Sequence, residues 1–227
     1  MRLLLIRHGQ TPHNVAGALD TARPGAGLTA LGEAQAGAIP AALADEEITA
    51  VYASVLTRTQ LTAAPLARDR GLEVRVVEGL EEIAAGDLEL HTEKASVQAY
   101  VGALGRWAHG ELDHPMPGGP DGHAFFARYD AAIADIHARH REASVVVVSH
   151  GAAIRLWTAT RAENVGPEHA VEQRLMNTGM AVLDGSPDAG WRLLQWHEEP
   201  LGGLDLEDLS AHDVTGDTGD EAVAEAD

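Results

Sequence analysis

Two apolar runs constrain this chain more than any other feature. Leu3 to Ile6 ends in Arg7-His8-Gly9, and Val145 to Val148 ends in Ser149-His150-Gly151. Four consecutive valines leave no polar face, so that run suits a strand buried on both sides, as in a parallel sheet. The N-terminal run has the same length and the same stop. Each reads as a buried strand that delivers a histidine to a glycine turn. Parallel strands share a carboxyl edge, and ligands bind along that edge. The pattern predicts that two imidazoles meet there.

The intervening chain supports this reading. Ile48 to Ala53 and Glu73 to Val77 have the composition of further strands. Thr29 is placed to cap a helix running to about Asp45. A second helix, from Leu56 or Thr57 to Arg70, passes Pro65 and closes at Gly71. The order strand, helix, strand, helix, strand predicts an α/β fold: a mostly parallel central sheet flanked by helices on both faces. Residues 84–121 break the rhythm and read as a helical and loop insertion over the carboxyl edge, with weak helical character near 92–109. A helix from His123 to about Arg141, another from Ala152 to about Thr160, and strands Met180–Leu183 and Trp191–Trp196 complete a single domain of residues 1–200. A chain of 227 residues suits one such domain.

The formal net charge is -19. It argues against nonspecific binding to nucleic acid or to an anionic membrane, which want basic surfaces. Much of the charge is terminal: Glu198 to Asp227 holds about eleven carboxylates and no Lys or Arg. Residues 201–227 therefore read as an acidic, solvated, disordered tail. The lack of cysteine excludes disulfides, thiolate metal sites and a cysteine nucleophile. No basic leader precedes a long apolar stretch, and no window approaches the ~20 apolar residues of a membrane span. A cytoplasmic location is the expectation, with neither nucleic acid nor membrane as partner.

The polar residues just past the strands carry the chemistry. Arg7 and His8 follow the first strand, Arg58 the second, Glu81 and Glu82 the third, and His150 the valine strand. Arginine's planar fork matches phosphate oxygens. Gly9 and Gly151 permit close backbone approach. Helices beginning near Thr11 and Ala152 are expected to aim free N–H groups into the same space. Such a pocket in an acidic protein suits a dianion. A neutral histidine within it could attack phosphorus and form a phosphohistidine, while a carboxyl of raised pKa, Glu81 or Glu82, protonates the leaving oxygen.

At this point the chain resembles a family. Arg7-His8-Gly9-Gln10-Thr11 with Asn14, Ser54-x-x-x-Arg58-Thr-x-x-Thr62-Ala63, Leu80-x-Glu82-Ile83-x-x-Gly86 and Val148-Ser149-His150-Gly151 are similar, in order, to the four motifs of the histidine phosphatase, or phosphoglycerate mutase-like, superfamily. The resemblance covers residues 2 to about 196. It implies that His8 is the phosphorylated nucleophile, that Arg7, Arg58 and His150 hold the phosphoryl group, and that Asn14 and Thr11 add hydrogen bonds. Gly151 would border the phosphate, and Thr11 could equally be a helix cap. Glu82 rather than Glu81 would be the proton donor. The family needs no metal and no cofactor, and the partner it implies is a small phosphorylated substrate. Two stretches depart from the family pattern, Gly118-Gly119-Pro120-Asp121 and Leu88-Glu89-Leu90, both on the expected substrate side.

Three functions compete. The favoured one is a metal-independent phosphatase that hydrolyses a small phosphate monoester. The alternative is a phosphoglycerate mutase using the same phosphohistidine. A mutase wants extra cations at the pocket mouth, where the insertion offers only Lys94 and Arg106 and the loop 18–27 offers Arg23. A catalytically inactive phosphate-binding protein comes third. His137 and His140, three apart on a helix, read as a solvated face beside Arg139 and Arg141 rather than as metal ligands.

Overall fold

A computed structural model describes residues 1–208 and 210–226. Strand β1 (Arg2–Arg7) leads into a short helix α1 (Pro12–Ala16); α2 (Ala30–Ala42), β2 (Ile48–Ala53), α3 (Thr57–Asp69) and β3 (Val74–Val76) follow. Then come α4 (Lys94–Ala108), α5 (Gly122–Arg139), β4 (Ser144–Ser149), α6 (Gly151–Arg161), α7 (His169–Glu172), β5 (Met180–Ser186), β6 (Gly190–His197) and α8 (Gly219–Glu225). The six strands form one sheet in the order β3-β2-β4-β1-β5-β6. Strands β3, β2, β4 and β1 run parallel, and β5 pairs antiparallel with both β1 and β6.

The valine strand lies between β2 and β1, pairing Val145 with Leu3 and Val148 with Ile6. Its alternate side chains feed two cores. Val145 and Val147 join Leu3, Leu5 and Tyr52 against α4, α5 and α6, with Trp107, Phe125, Tyr129 and Trp157 as the bulk. Val146 and Val148 join Leu4, Ile6 and Val51 against α2 and α3 through Ile39, Ala63 and Leu66. All four valines are buried, each contributing about 1.5–3 kcal/mol. The helices thus cover both faces, and the carboxyl ends of β1, β2 and β4 share one edge. The insertion joins the helical layer: α4 buries Val97, Tyr100, Leu104 and Trp107 in the larger core.

The C-terminal segment departs from the sequence expectation. The described residues after Leu201 fold back across the carboxyl edge instead of dissolving into solvent. Gln35 Nε2 of α2 donates to Leu206 O, Gln10 Nε2 donates to Asp208 Oδ2, and Leu175 N donates to Gly216 O. Val214 and Ala222 are buried, and Thr218 opens α8 with a capping box closed by Glu221. Composition predicts solvation because few large apolar residues are present. The attachment is instead largely polar: besides these hydrogen bonds, Arg7 pairs with Asp213, and Arg174 with Asp217 and Glu221. Leu209 and Asp227 of that tail lie outside the described residues.

Candidate active site

The β1 turn is fixed by its neighbours. Gly9 N donates to Thr62 Oγ1 of α3 at 2.9 Å. A Cβ on Gly9 would lie 2.6 Å from Gly32 O of α2, so only glycine lets that helix dock. His8 follows, 2 % exposed, with Nδ1 2.9 Å from its neighbour's carbonyl, Gly9 O. A carbonyl only accepts, so Nδ1 carries the ring proton and Nε2 keeps its lone pair. Nε2 has no hydrogen-bond partner among the described residues. Burial, with Arg58 and Arg7 nearby, holds the His8 pKa well below its ordinary value, so the ring is neutral at neutral pH.

His150 directly follows β4, with its ring centroid 5.2 Å from that of His8. Both of its nitrogens are engaged. Arg58 Nη2 lies 3.2 Å from Nδ1 and, as a donor, makes Nδ1 the acceptor; Nε2–H then donates to Ser54 Oγ at 2.8 Å. Burial and Arg58 keep this ring neutral as well. Ser54 in turn meets Thr59 Oγ1 at 3.0 Å.

Glu82 is 2 % exposed and caps α6 from outside the helix. Its Oε1 accepts from Ala153 N and Ile83 N, each at 2.8 Å, and Oε2 accepts from Ala152 N at 3.2 Å. Burial pushes its carboxyl above the usual carboxylate range, against the pull of these N–H groups and of Arg58. Glu81 points elsewhere, to Arg23 and to Arg128. Strand position alone left the two glutamates as rivals and the family resemblance pointed to Glu82; of the two, only Glu82 lines the site.

These groups border a small cavity, with room for about 10 Å³, lined by His8, Thr11, Asn14, Ala18, Asp20, Arg58, Glu82 and Thr215. Of the residues singled out from sequence, His8, Thr11, Asn14, Arg58 and Glu82 therefore line it. Arg7, His150 and Gly151 are not among its lining residues. The helix termini also differ from expectation. At α6 the free N–H groups of Ala152 and Ala153 are taken by Glu82, and at α1 Thr11 Oγ1 takes Asn14 N at 3.2 Å. Gly151 instead makes room for the tail: a Cβ there would strike Thr215 O and lie 2.9 Å from Arg7 Nε.

Both arginines already hold carboxylates. Arg58 Nη1 is 3.3 Å from Asp20 Oδ2, and Nη2 donates to Asp20 O at 2.8 Å. Arg7 is completely buried and pairs with Asp213, 206 residues away, Nη2 to Oδ1 and Nη1 to Oδ2 both at 2.6 Å. The Nε of each arginine has no partner among the described residues. Asp20, Asp213, Thr215 and Asn177, whose Nδ2 donates to His8 O at 3.1 Å, are site residues that the sequence reading missed. Asp20 and Asp213 looked like loop and tail charge, and only tertiary pairing distinguishes them. The loop carrying Asp20 is pinned by Glu89, which accepts from Thr21 N at 2.8 Å and from Ala22 N at 2.9 Å. One of the two departures from the family pattern is thus a loop anchor. Among the described residues, no group of three or more His, Cys, Asp or Glu is placed to hold a metal ion, and no helix is long and apolar enough to cross a membrane.

Comparison with known proteins agrees with this geometry. The family model described as the histidine phosphatase superfamily (branch 1) matches residues 3–199. The chain belongs to that superfamily. Its motifs are those of an enzyme of histidine phosphatase type. The structure of a mycobacterial glucosyl-3-phosphoglycerate phosphatase superposes with a TM-score of 0.73 at 27% identity, covering 87% of this chain and 99% of that one. The adenosylcobalamin/alpha-ribazole phosphatase of Escherichia coli is 32% identical over 70% of this chain and 78% of its own length. A PE-PGRS family protein of Mycobacterium tuberculosis is 38% identical over 88% of this chain, which spans only 37% of that longer relative.

Proposed function

We propose that the protein is a metal-independent phosphatase that hydrolyses a small phosphate monoester through a phosphohistidine on His8. The observation that carries this reading is the tautomer of His8: Nδ1–H held by Gly9 O leaves Nε2 unprotonated in a cavity shared with Arg58 and Glu82. In the first step Nε2 attacks phosphorus and the ester P–O bond breaks. The bonding pair goes to the leaving oxygen, which takes the proton of Glu82. In the second step water attacks the phosphohistidine, the P–N bond breaks, and the Glu82 carboxylate takes the water's proton. Arg58, Asn14 and Thr11 offer donors to the equatorial oxygens, the main source of stabilisation in phosphoryl transfer. The raised pKa of Glu82 suits a group that must begin protonated.

Two observations favour hydrolysis over a mutase. Arg23, the cation that could have served a second anionic group, is paired with Glu78 and Glu81 instead. The phosphatases among the relatives and the superposed structures point the same way. The reading is tested by screening the purified protein against many phosphate esters, with and without a bisphosphoglycerate primer. The expected result is primer-independent release of phosphate that His8→Ala abolishes, together with acid-labile labelling of the wild type only. Labelling that survives in His8→Ala would move the nucleophile elsewhere.

A further inference from the structure

We propose that residues 210–218 form an autoinhibitory strap, in which Asp213 takes the donors that a phosphate ester needs and Thr215 closes the cavity over His8. The inference rests on the reading of the cavity as a phosphoryl site. Arg7 Nη1 donates to Leu175 O at 2.8 Å and faces Asp213 Oδ2 at 2.6 Å; Nη2 donates to Asp213 Oδ1 at 2.6 Å and to Thr215 Oγ1 at 3.1 Å. Of the four Nη hydrogens of the guanidinium, three are thus hydrogen-bonded, and Nη1 also lies in an ion pair with Asp213 Oδ2. Asn14 Nδ2 donates to the same Asp213 Oδ1 at 3.0 Å. One internal carboxylate thus receives the bidentate fork and the amide that suit a phosphate.

Space supports the same conclusion. The cavity has room for about 10 Å³, roughly one water, far below the ~300–1,000 Å³ of ordinary small-molecule sites. That is too little for a phosphate ester, so a wall must open before one enters. Thr215 is one wall, seated where Gly151 has no side chain to hold it off, and Gly216 lies against Arg7 Nη1 in the same way.

The strap is also built to release. Its outer side faces a second cavity, of about 80 Å³, lined by Glu207, Asp208, Asp217 and Glu225, with Arg174 as the cation. Asp213 N donates to Asp217 Oδ2 at 3.1 Å, which brings two carboxylates close together. Burial and the charge of Asp213 push the Asp217 carboxyl up to about 7. This like-charge crowding opposes closure and offsets part of what the Arg7 pair contributes.

The test is amide exchange across residues 211–217 in the full chain, with and without inorganic phosphate. It is joined by phosphate affinity and p-nitrophenyl phosphate turnover in wild type and Asp213→Asn. Phosphate is expected to displace the strap and speed exchange at least threefold in the wild type. Asp213→Asn, which leaves Arg7 facing a neutral amide, should bind phosphate at least fivefold tighter and raise kcat/KM by a similar factor. Slower or unchanged exchange on adding phosphate to the wild type would overturn the strap, and so would weaker phosphate binding by Asp213→Asn. That second result would make Asp213 a positioning residue for Arg7. Faster exchange with no turnover in either protein would keep the strap and remove the phosphatase reading. The wild-type exchange measurement decides the matter if the variant does not fold.

Discussion

The two His-Gly turns end neighbouring parallel strands and look interchangeable in sequence, yet their imidazoles are wired oppositely. His8 spends one nitrogen on its neighbour's carbonyl and keeps the other bare toward the cavity. His150 spends both, one on Arg58 and one on Ser54. A nucleophile needs a free lone pair, and a positioning group needs to be held. The difference fits the proposed division of roles, with bond making at the first turn and support at the second. It arises from what packs against each strand end: α2 and α3 on the β1 turn, and the residues after β2 on His150.

The largest expected effect breaks that symmetry directly. His8→Ala should lose turnover by ~10⁴-fold or more and all acid-labile phosphate, in keeping with the non-additive collapse that follows loss of a nucleophile. His150→Ala should slow turnover while still incorporating label. Equal loss of label in both variants would erase the distinction drawn here.

Next in size is Glu82→Gln, expected to cost ~10²–10⁴ on an alkyl phosphate, the range for a general acid, and far less on an aryl phosphate with a good leaving group. The pH profile follows from the signs. The lowered pKa of His8 keeps its nucleophilic form available well below pH 6.5, so the acid limb of kcat/KM lies below that point. The raised pKa of Glu82 keeps its acid form above pH 4.5, and rate is lost as pH rises through that raised value. Glu82→Gln should remove the alkaline limb on alkyl substrates. A limb that persists unchanged would assign the proton to another group.

The comparison also marks what sequence could convey. Strands β1, β2 and β4, the two histidines, Arg58 and the choice of an α/β sheet were legible because burial writes itself as apolar runs and function as polar residues at their ends. Glu82 over Glu81 needed the family spacing, since both follow one strand. Asp213 was not legible. An Asp in a Gly-, Asp- and Ala-rich stretch carries no local sign that it will meet a buried arginine 206 residues earlier. The capping box Thr218-x-x-Glu221 and the buried Val214 were the faint signals that this segment folds. Arg7 shows the converse. Its place after β1 was plain, but its partner belongs to the segment that composition reads as solvent-facing.

Arg58→Ala probes the link between the two turns, because Arg58 both lines the cavity and fixes the His150 tautomer. Loss of one transition-state donor costs ~10²–10³ in rate, and that is the expected scale. Arg58→Lys should recover little of it, since an ammonium cannot reproduce the planar fork that sets Nη1 on Asp20 Oδ2 and Nη2 on Asp20 O and His150 Nδ1. Recovery to within about threefold would mean that charge alone matters and that the wiring of His150 is incidental.

The smallest effect is the sharpest test of that wiring. Ser54 is outside the cavity lining and reaches the chemistry only through His150 Nε2, at 2.8 Å. Ser54→Ala removes the acceptor for Nε2–H. The buried ring is then free to move its proton to Nδ1, where it would compete with the Arg58 Nη2 donor. A lost hydrogen bond of this kind costs about 1 kcal/mol, or roughly fivefold in rate. The fall should appear in kcat, and ¹⁵N chemical shifts of the His150 ring should report the changed tautomer while those of His8 stay fixed. A purely structural role for Ser54 would lower stability and leave the His150 ring shifts where they were. Movement of the His8 shifts instead would show that the two turns are coupled through their 5.2 Å ring contact rather than through Arg58.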